Sequence, residues 1–177
     1  MRTISYRKLA AADAGLYREI RLESLRLHPE SFGSGYEAQR KLPKLMFERA
    51  LEAPVDNRFL WGAFDGPRLI GICGYIPFVM GDLDTPDLRN TGTIIQMYVQ
   101  AAYRGQKIGL ALVHAVVREV FENTDMAQII LGVMRENARA IRVYEQAGFQ
   151  VYDNPEAEPA ASGELLMIKR REERGAA

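Results

Sequence analysis

Hydrophobic and polar positions change their spacing several times along the chain, and each spacing predicts a different element. Residues 4–8 alternate between apolar and polar side chains, which is typical of a short strand. Residues 13–27 have a helical period that ends before Pro29, because a proline pushes the preceding residue out of helical geometry. Residues 31–36 carry glycine, serine and two aromatic side chains and are predicted to form a loop, whereas 43–53 begins with a proline and predicts a second helix.

Beyond residue 54 the pattern changes to that of strands. Residues 58–64 and 68–80 flank an Asp-Gly-Pro turn and predict a hairpin. An acidic loop over 81–89 separates this hairpin from 93–99, a strand with little alternation. Such a strand is expected where both faces of a sheet are covered, so 93–99 is predicted to be central.

The last part of the chain returns to alternating helices and strands. The predicted elements are a helix over 108–121, a strand over 127–134, a helix over 137–147 that ends at Gly148, and two strands over 149–152 and 164–169. The strand, helix and strand between 93 and 134 require a parallel neighbour relationship and a right-handed crossover. With no internal repeat and no linker, we expect residues 1–177 to form a single mixed α/β domain.

Composition excludes several classes of protein. Lys and Arg number 23 and Asp and Glu number 23, so no global field favours nucleic acid or an anionic membrane. The single cysteine, Cys73, rules out an internal disulfide framework, and no apolar run reaches the roughly 20 residues of a membrane helix. The N-terminus lacks the pattern of a signal peptide. We therefore expect a cytoplasmic protein that binds neither nucleic acid nor membrane, and no metal site is predicted.

The most informative segment, 94–112, joins the end of a buried strand to an apolar helix through a turn that contains Arg104, Gly105, Lys107 and Gly109. Free N–H groups and the positive end of the helix dipole make such a helix start an anion site. The alternative is a plain turn with glycines for backbone reasons. The glycine spacing matches neither a nucleotide P-loop nor the three-glycine dinucleotide pattern, which disfavours a nucleotide-binding α/β protein.

A second segment, 137–149, reads Asn-Ala-Arg-Ala-Ile-Arg-Val-Tyr-Glu-Gln-Ala-Gly-Phe. Together with 94–112 it closely resembles the GNAT superfamily, the Gcn5-related N-acetyltransferases. The resemblance covers the whole chain in element order, is strong over 93–149 and is weak before residue 58. It implies a single-domain GNAT-like fold, with a mixed central β-sheet flanked by helices and with splayed central parallel strands.

The resemblance also implies acetyl-CoA as cofactor and an acyl group transferred to an amine. In the family, the strand before the phosphate loop contains a bulge and diverges from its parallel neighbour, so that pantetheine lies between the two strands. Tyr144 matches the tyrosine that can protonate the departing thiolate, and we predict it to be catalytic. The residues expected to bind the cofactor are Met97, Tyr98, Val99, Arg104, Gly105, Gln106, Lys107, Ile108, Gly109, Leu110, Asn137 and Tyr144.

Two positions depart from the family pattern. Lys107 stands where the first glycine of the loop is usual, although a non-glycine with an ordinary negative φ can still donate its N–H. The strand that often carries a catalytic Glu has only Thr93 and Gln96, so water or a distant acid must deprotonate the amine. The acids considered for this role are Glu23, Glu37, Asp82, Asp84 and Asp87, each of which could equally be a solvated surface residue.

Other candidate residues have structural alternatives. Asn137 could merely cap its helix, and Tyr144 could be a half-buried packing residue. Cys73 is expected to pack in the core, and His114 is expected to be partly buried on its apolar helix. His28, at a helix end beside a proline, is a weak candidate for chemistry.

The acceptor pocket in this family is usually built by the first two helices, their loop and the final strand pair. The acceptor residues predicted on this basis are Glu23, Arg26, Phe32 and Tyr36. The sequence leaves open which small-molecule or peptide amine is acylated, and hydrophobic strand ends could support a homodimer. A non-catalytic acyl-CoA-binding sensor or structural module is the alternative function.

Overall fold

A computed structural model describes residues 3–54, 57–78, 86–153 and 163–172. The described chain forms seven strands and five helices, with single 3-10 turns between some of them. In order they are β1 Ile4–Lys8, α1 Ala14–Leu27, α2 Tyr36–Arg40, α3 Met46–Glu52, β2 Phe59–Asp65, β3 Arg68–Ile76, β4 Thr91–Val99, α4 Ile108–Asn123, β5 Gln128–Met134, α5 Ala138–Gln146, β6 Gln150–Val151 and β7 Glu164–Arg170.

All seven strands form one mixed sheet in the order β1-β2-β3-β4-β5-β7-β6. Strands β1 to β4 are antiparallel neighbours, β4 and β5 are parallel, and β7 pairs antiparallel with both β5 and β6. The parallel pair is joined through α4, as the crossover between them requires. The predicted mixed sheet and the central position of the strand after the acidic loop are confirmed.

Helices cover both faces of this sheet. Leu112, Val116 and Val120, spaced at a helical period along α4, are buried in one hydrophobic cluster. Tyr17 of α1 and Phe47 of α3 are buried in a second cluster and meet edge to face, with ring centroids 6.0 Å apart. The sheet therefore separates α4 and α5 from α1 and α3, and its central strands are covered by both layers.

Several predicted boundaries differ from the structure. The segment 31–36 is not wholly a loop, because Tyr36 begins the short helix α2, and the next helix begins at Met46 rather than at the proline of 43–53. The reason is local capping: the carboxylate of Glu48 accepts the N–H of Leu45 at 2.5 Å and fixes that start. The strand predicted over 68–80 ends at Ile76, and its last two predicted residues lie outside the described residues.

The central strand β4 is irregular at the point that matters most for the site. Gln96 has a φ of 56°, and the register between β3 and β4 shifts between Ile72 and Gly74. These two features define a β-bulge, which the family resemblance implied. Moreover, β4 pairs with β5 only over Thr91 to Thr93, so the two parallel strands separate beyond that point. The first half of β4 is accordingly buried, whereas most of the second half is partly exposed.

Candidate active site

A cavity of about 830 Å³ lies where β4 and β5 separate. Its walls come from the bulged half of β4, the turn before α4, the starts of α4 and α5, and the turn after α1. The short 3-10 turn Pro29–Ser31 also contacts β5 and so spans the gap between the separated strands. The lining residues are His28, Glu30, Ser31, Phe32, Met97, Tyr98, Val99, Ala101, Tyr103, Arg104, Gly105, Lys107, Ile108, Gly109, Leu110, Asn137, Ala138, Arg139, Ala140, Arg142, Val143 and Gln146.

Most of the predicted cofactor residues are brought together in this cavity. Of the twelve, only Gln106 and Tyr144 are absent from its lining. Beyond Thr93, the N–H and C=O groups on this edge of β4 have no partner strand among the described residues. Such an edge can pair with an extended ligand as an added strand would.

The turn before α4 is held in place by Arg104. Its Nε donates to the carbonyl of Val99 at 3.0 Å, and its Nη2 lies 2.9 Å from Nε2 of His28. The guanidinium also lies 5.8 Å from the ring centroid of Tyr98. Since a guanidinium only donates, the contacting nitrogen of His28 must be the acceptor. Arg104 thus fixes the turn to the end of β4 and to the end of α1.

Lys107 corrects one expectation from the sequence. It has a φ of 59° and a ψ of 15°, the left-handed conformation, and it is the N-cap of α4. The ordinary negative φ, with which a non-glycine could still donate its N–H here, is therefore not the conformation of Lys107. The turn requires the conformation for which glycine is the usual solution, and Gly105, two residues earlier, also has a positive φ, of 81°.

We expect Lys107→Val to lower the free energy of unfolding by about 1–2 kcal/mol, because a β-branched side chain is strained at positive φ. Gln106→Val, at the exposed neighbour without positive φ, is the matched control and should change it by less than about 0.5 kcal/mol. Urea denaturation of both variants measures the difference. Equal stability of the two variants would contradict a left-handed Lys107.

Asn137 performs the capping role considered above. Its Oδ1 accepts the N–H of Ala140 at 3.2 Å at the start of α5. Asn137 also lines the cavity. Because the cap uses only the oxygen of the side chain, the amide NH₂ can still donate to a ligand. Capping and cofactor contact are therefore compatible in this structure.

Tyr144 lies in the hydrophobic core and is not among the residues that line the cavity. It is 6% exposed, and its ring centroid is 6.1 Å from that of Phe149. Burial, with a smaller contribution from the neighbouring Cys73 thiol, raises the pKa of the Tyr144 hydroxyl well above its usual value. The hydroxyl therefore remains protonated at any physiological pH. Burial likewise raises the pKa of Cys73 itself, which confirms that this thiol is a core residue.

The four predicted acceptor residues are placed differently. Phe32 lines the cavity, whereas Arg26 is exposed on α1 and Tyr36 begins α2 with its ring 6.0 Å from the guanidinium of Arg40. Glu23 lies behind the cavity and accepts hydrogen bonds from the hydroxyl of Tyr98 at 2.9 Å and from the amide of Gln100 at 3.0 Å. Desolvation and this bond to Glu23 raise the pKa of Tyr98 to about 12.

The turn after α1 contributes three lining residues that the sequence did not assign to the site, namely His28, Glu30 and Ser31. Of these, only His28 was considered for chemistry, as a weak candidate. Their position next to Phe32, in a segment already assigned to the acceptor pocket, could have indicated that they line the site. His114, expected to be partly buried, is exposed instead, because it faces outward from the sheet on α4. That expectation was wrong.

The candidate acids have other surroundings. Glu37 pairs with Arg40 on α2 at 2.8 Å, and a carboxylate oxygen of Asp87 lies 3.6 Å from the guanidinium of Arg170. Asp82 and Asp84 lie outside the described residues. Nothing in these contacts distinguishes Glu37 or Asp87 from surface residues.

Comparison with known proteins identifies the class. The sequence model of the Acetyltransferase (GNAT) family matches residues 17–149. The chain therefore belongs to the GNAT acetyltransferase family, a family of acyltransferases that use acetyl-CoA, and the resemblance seen in the sequence is confirmed.

Solved structures of this family share the fold. The PaiA N-acetyltransferase from Thermoplasma acidophilum, crystallised with coenzyme A, is 20% identical with a TM-score of 0.70, covering 96% of this chain and 99% of that one. The aminoglycoside acetyltransferase AAC(6')-Ib in complex with coenzyme A is 22% identical with a TM-score of 0.67, covering 96% and 95%. A ribosomal-protein-alanine N-acetyltransferase from Brucella melitensis is 18% identical with a TM-score of 0.68, covering 94% and 99%. The named acceptors differ, so the fold does not specify the amine.

Proposed function

We propose that this protein transfers an acetyl group from acetyl-CoA to a primary amine of a small molecule or peptide, by direct attack of the amine on the thioester. One observation carries the proposal: β4 and β5 pair over only three residues and then enclose a cavity beside a bulge and a helix N-terminus. Such a gap offers an extended ligand both a strand edge and an anion site.

The cofactor would lie along this gap with its phosphates at the start of α4. Backbone N–H groups from Gly105 to Leu110 would meet the pyrophosphate, and Lys107, Arg139 and Arg142 add positive charge to the same cavity. Pantetheine would follow the open edge of β4 at Met97 to Val99. In that position the backbone N–H groups beside the bulge can stabilise negative charge on the thioester oxygen.

In the reaction the amine nitrogen forms a bond to the carbonyl carbon of the thioester, and the bond from that carbon to sulfur breaks. The departing thiolate takes a proton, which we assign to the hydroxyl of Tyr144. The phenolate then regains a proton from solvent, while the attacking nitrogen loses one. The raised pKa of Tyr144 keeps it in the protonated form that this role requires.

Deprotonation of the amine is assigned to water or to a distant acid. Thr93 donates its hydroxyl to the carbonyl of Phe78 at 2.7 Å, and the side-chain oxygen of Gln96 accepts a hydrogen bond from the hydroxyl of Tyr17 at 2.9 Å. Neither side chain can take a proton at neutral pH. The amine therefore loses its proton to water or to a more distant carboxylate before it attacks the thioester.

We expect kcat/KM for the amine to rise about tenfold per pH unit below the pKa of the acceptor, because only the neutral amine attacks. Tyr144 should not interrupt the rise, since its raised pKa keeps it protonated throughout this range. Initial rates between pH 6 and 9 at limiting acceptor measure this dependence. A flat profile would point to a base within the protein.

The direct test of function is the release of free thiol from acetyl-CoA in the presence of polyamines, amino acids, aminoglycosides and N-terminal peptides. Acceptor-dependent release above the rate of hydrolysis supports an enzyme. Tight binding of acetyl-CoA without release on any acceptor would support the sensor alternative, which the absence of a carboxylate at Thr93 and Gln96 keeps open.

Three further properties belong to the same proposal. Residues 1–177 would act as one catalytic domain, the protein would work in the cytoplasm, and it could form a homodimer.

Among the described helices, none combines the length and the apolar character that a membrane span needs. Size-exclusion chromatography with light scattering determines the oligomeric state.

A further inference from the structure

Arg21, in the middle of α1, is a buried cation without a counter-ion among the described residues. It is 4% exposed, and its Nε and Nη1 have no hydrogen-bond partner. Its guanidinium carbon lies 4.8 Å from the ring centroid of Phe32. Desolvation lowers the pKa of Arg21 below its usual value, yet an arginine stays charged at physiological pH. A charge buried in this way is destabilising unless something pairs with it.

Two acids on the helices of this layer already have other partners. Glu23 accepts hydrogen bonds from Tyr98 and Gln100, and Glu48 of α3 binds both the guanidinium of Arg18 and the N–H of Leu45. The aromatic ring of Phe32 contacts the guanidinium but cannot accept as a carboxylate would, so Nε and Nη1 stay unsatisfied. Arg21 can therefore take an anionic hydrogen-bond partner that the described residues do not supply.

The position of Arg21 indicates which ligand this anion belongs to. Tyr17 precedes Arg21 by one helical turn on the same face, and its hydroxyl bonds to Gln96 at the bulge of β4. Phe32, whose ring contacts the guanidinium, lines the cavity, whereas Arg21 itself does not. Arg21 therefore lies behind the wall formed by the turn after α1, on the face of the sheet opposite α4, and not at the turn around Gly105 that would hold the phosphates of the cofactor.

We infer that Arg21 binds a carboxylate on the acceptor, so that the substrate class is a small amine that also carries a carboxylate, as amino acids do. The inference rests on the proposed transferase function. A guanidinium and a carboxylate form paired hydrogen bonds that fix the orientation of the substrate as well as its charge. Phe32 must shift for this contact, and it is followed by Gly33 and Gly35, at which an added Cβ would meet no atom within 4 Å.

The test compares L-amino acids with their C-terminal amides, using spermidine and kanamycin as amines without a carboxylate. The wild-type protein should acetylate amino acids best. Arg21→Met keeps the length and packing of the side chain but removes the charge, and it should lower kcat/KM for amino acids by about 10- to 100-fold while changing that for amides less than about threefold. Converting the carboxylate to an amide also changes the pKa of the amine. The comparison therefore uses, for each acceptor, the ratio of kcat/KM in the variant to kcat/KM in the wild type. Glutamic acid 1-amide distinguishes a side-chain carboxylate from the α-carboxylate.

Controls separate this inference from the proposed function. Arg49→Met, at an exposed arginine of α3, should leave kcat/KM equal to that of the wild type for every acceptor. If Arg21→Met does not fold, Arg21→Lys keeps the charge and should still lower turnover of amino acids more than that of amides. Turnover of spermidine, kanamycin or amides in preference to amino acids, or an equal loss on acids and amides, would overturn the inference while leaving the transferase intact. Absence of thiol release on every acceptor, with acetyl-CoA still binding, would overturn the proposed function instead.

Discussion

Gly109→Glu should weaken acetyl-CoA binding by about 100-fold or more, which is the largest effect that we expect on the cofactor site. Gly109 lines the cavity in the first turn of α4, and an added Cβ would lie 2.6 Å from Cε of Met97. The longer side chain would therefore fill the space beside the bulge. Its carboxylate would also stand at the positive end of the helix dipole, where the pyrophosphate is proposed to bind. Isothermal titration calorimetry with acetyl-CoA measures the change.

A matched control is available on another helix. Gly15 lies exposed in α1, and an added Cβ there would meet no atom within 4 Å. Gly15→Glu should therefore leave affinity for acetyl-CoA unchanged. Gly109→Ala should give an intermediate effect, because the atom it approaches is the flexible end of Met97. Wild-type affinity in Gly109→Glu would mean that the cofactor binds elsewhere.

Tyr144→Phe should lower kcat by about 10²–10⁴-fold, the usual contribution of a positioned proton donor. The substitution keeps the ring and its edge contact with Phe149 and removes only the hydroxyl. Affinity for acetyl-CoA and thermal stability should stay nearly unchanged, so the loss should appear in kcat rather than in binding. Steady-state kinetics on the best acceptor from the amine panel provides the measurement.

Tyr75→Phe is the matched control for this experiment. Tyr75 is also a buried tyrosine outside the cavity lining, and its hydroxyl has no hydrogen-bond partner among the described residues. It lies on β3 and stacks on Phe59, whereas Tyr144 lies on α5 next to Val143, which lines the cavity. Its loss of a hydroxyl should leave kcat within about twofold of wild type. If Tyr144→Phe behaved in the same way, Tyr144 would be a packing residue, and solvent would protonate the thiolate.

Local sequence was sufficient to predict the part of the site that is built from consecutive residues. The turn before α4 and the cap of α5 depend on Gly105, Gly109 and Asn137, whose preferences act over a few residues. The family resemblance, which depends on the same segments, then implied a bulge in the strand before the turn, and the structure places it at Gln96. These predictions agree with the structure because turns and caps are specified by neighbours in the chain.

Contacts between distant segments were not predictable in this way. Sequence spacing did not show that β7 enters between β5 and β6, because pairing partners are chosen by the packing of the whole sheet. The left-handed conformation of Lys107 was not predictable either, since a lysine alone disfavours it.

The sequence by itself thus determined the order of elements apart from α2, the helix start that is predicted to bind phosphate and the family to which the chain belongs. Only the tertiary structure decided that β4 and β5 separate after Thr93 and that the turn around Phe32 closes the gap. It also decided that Arg21 is buried, with no hydrogen-bond partner for its Nε and Nη1 among the described residues. The physical reason is that burial and pairing depend on segments far apart in sequence, which meet only when the sheet and its two helical layers are assembled.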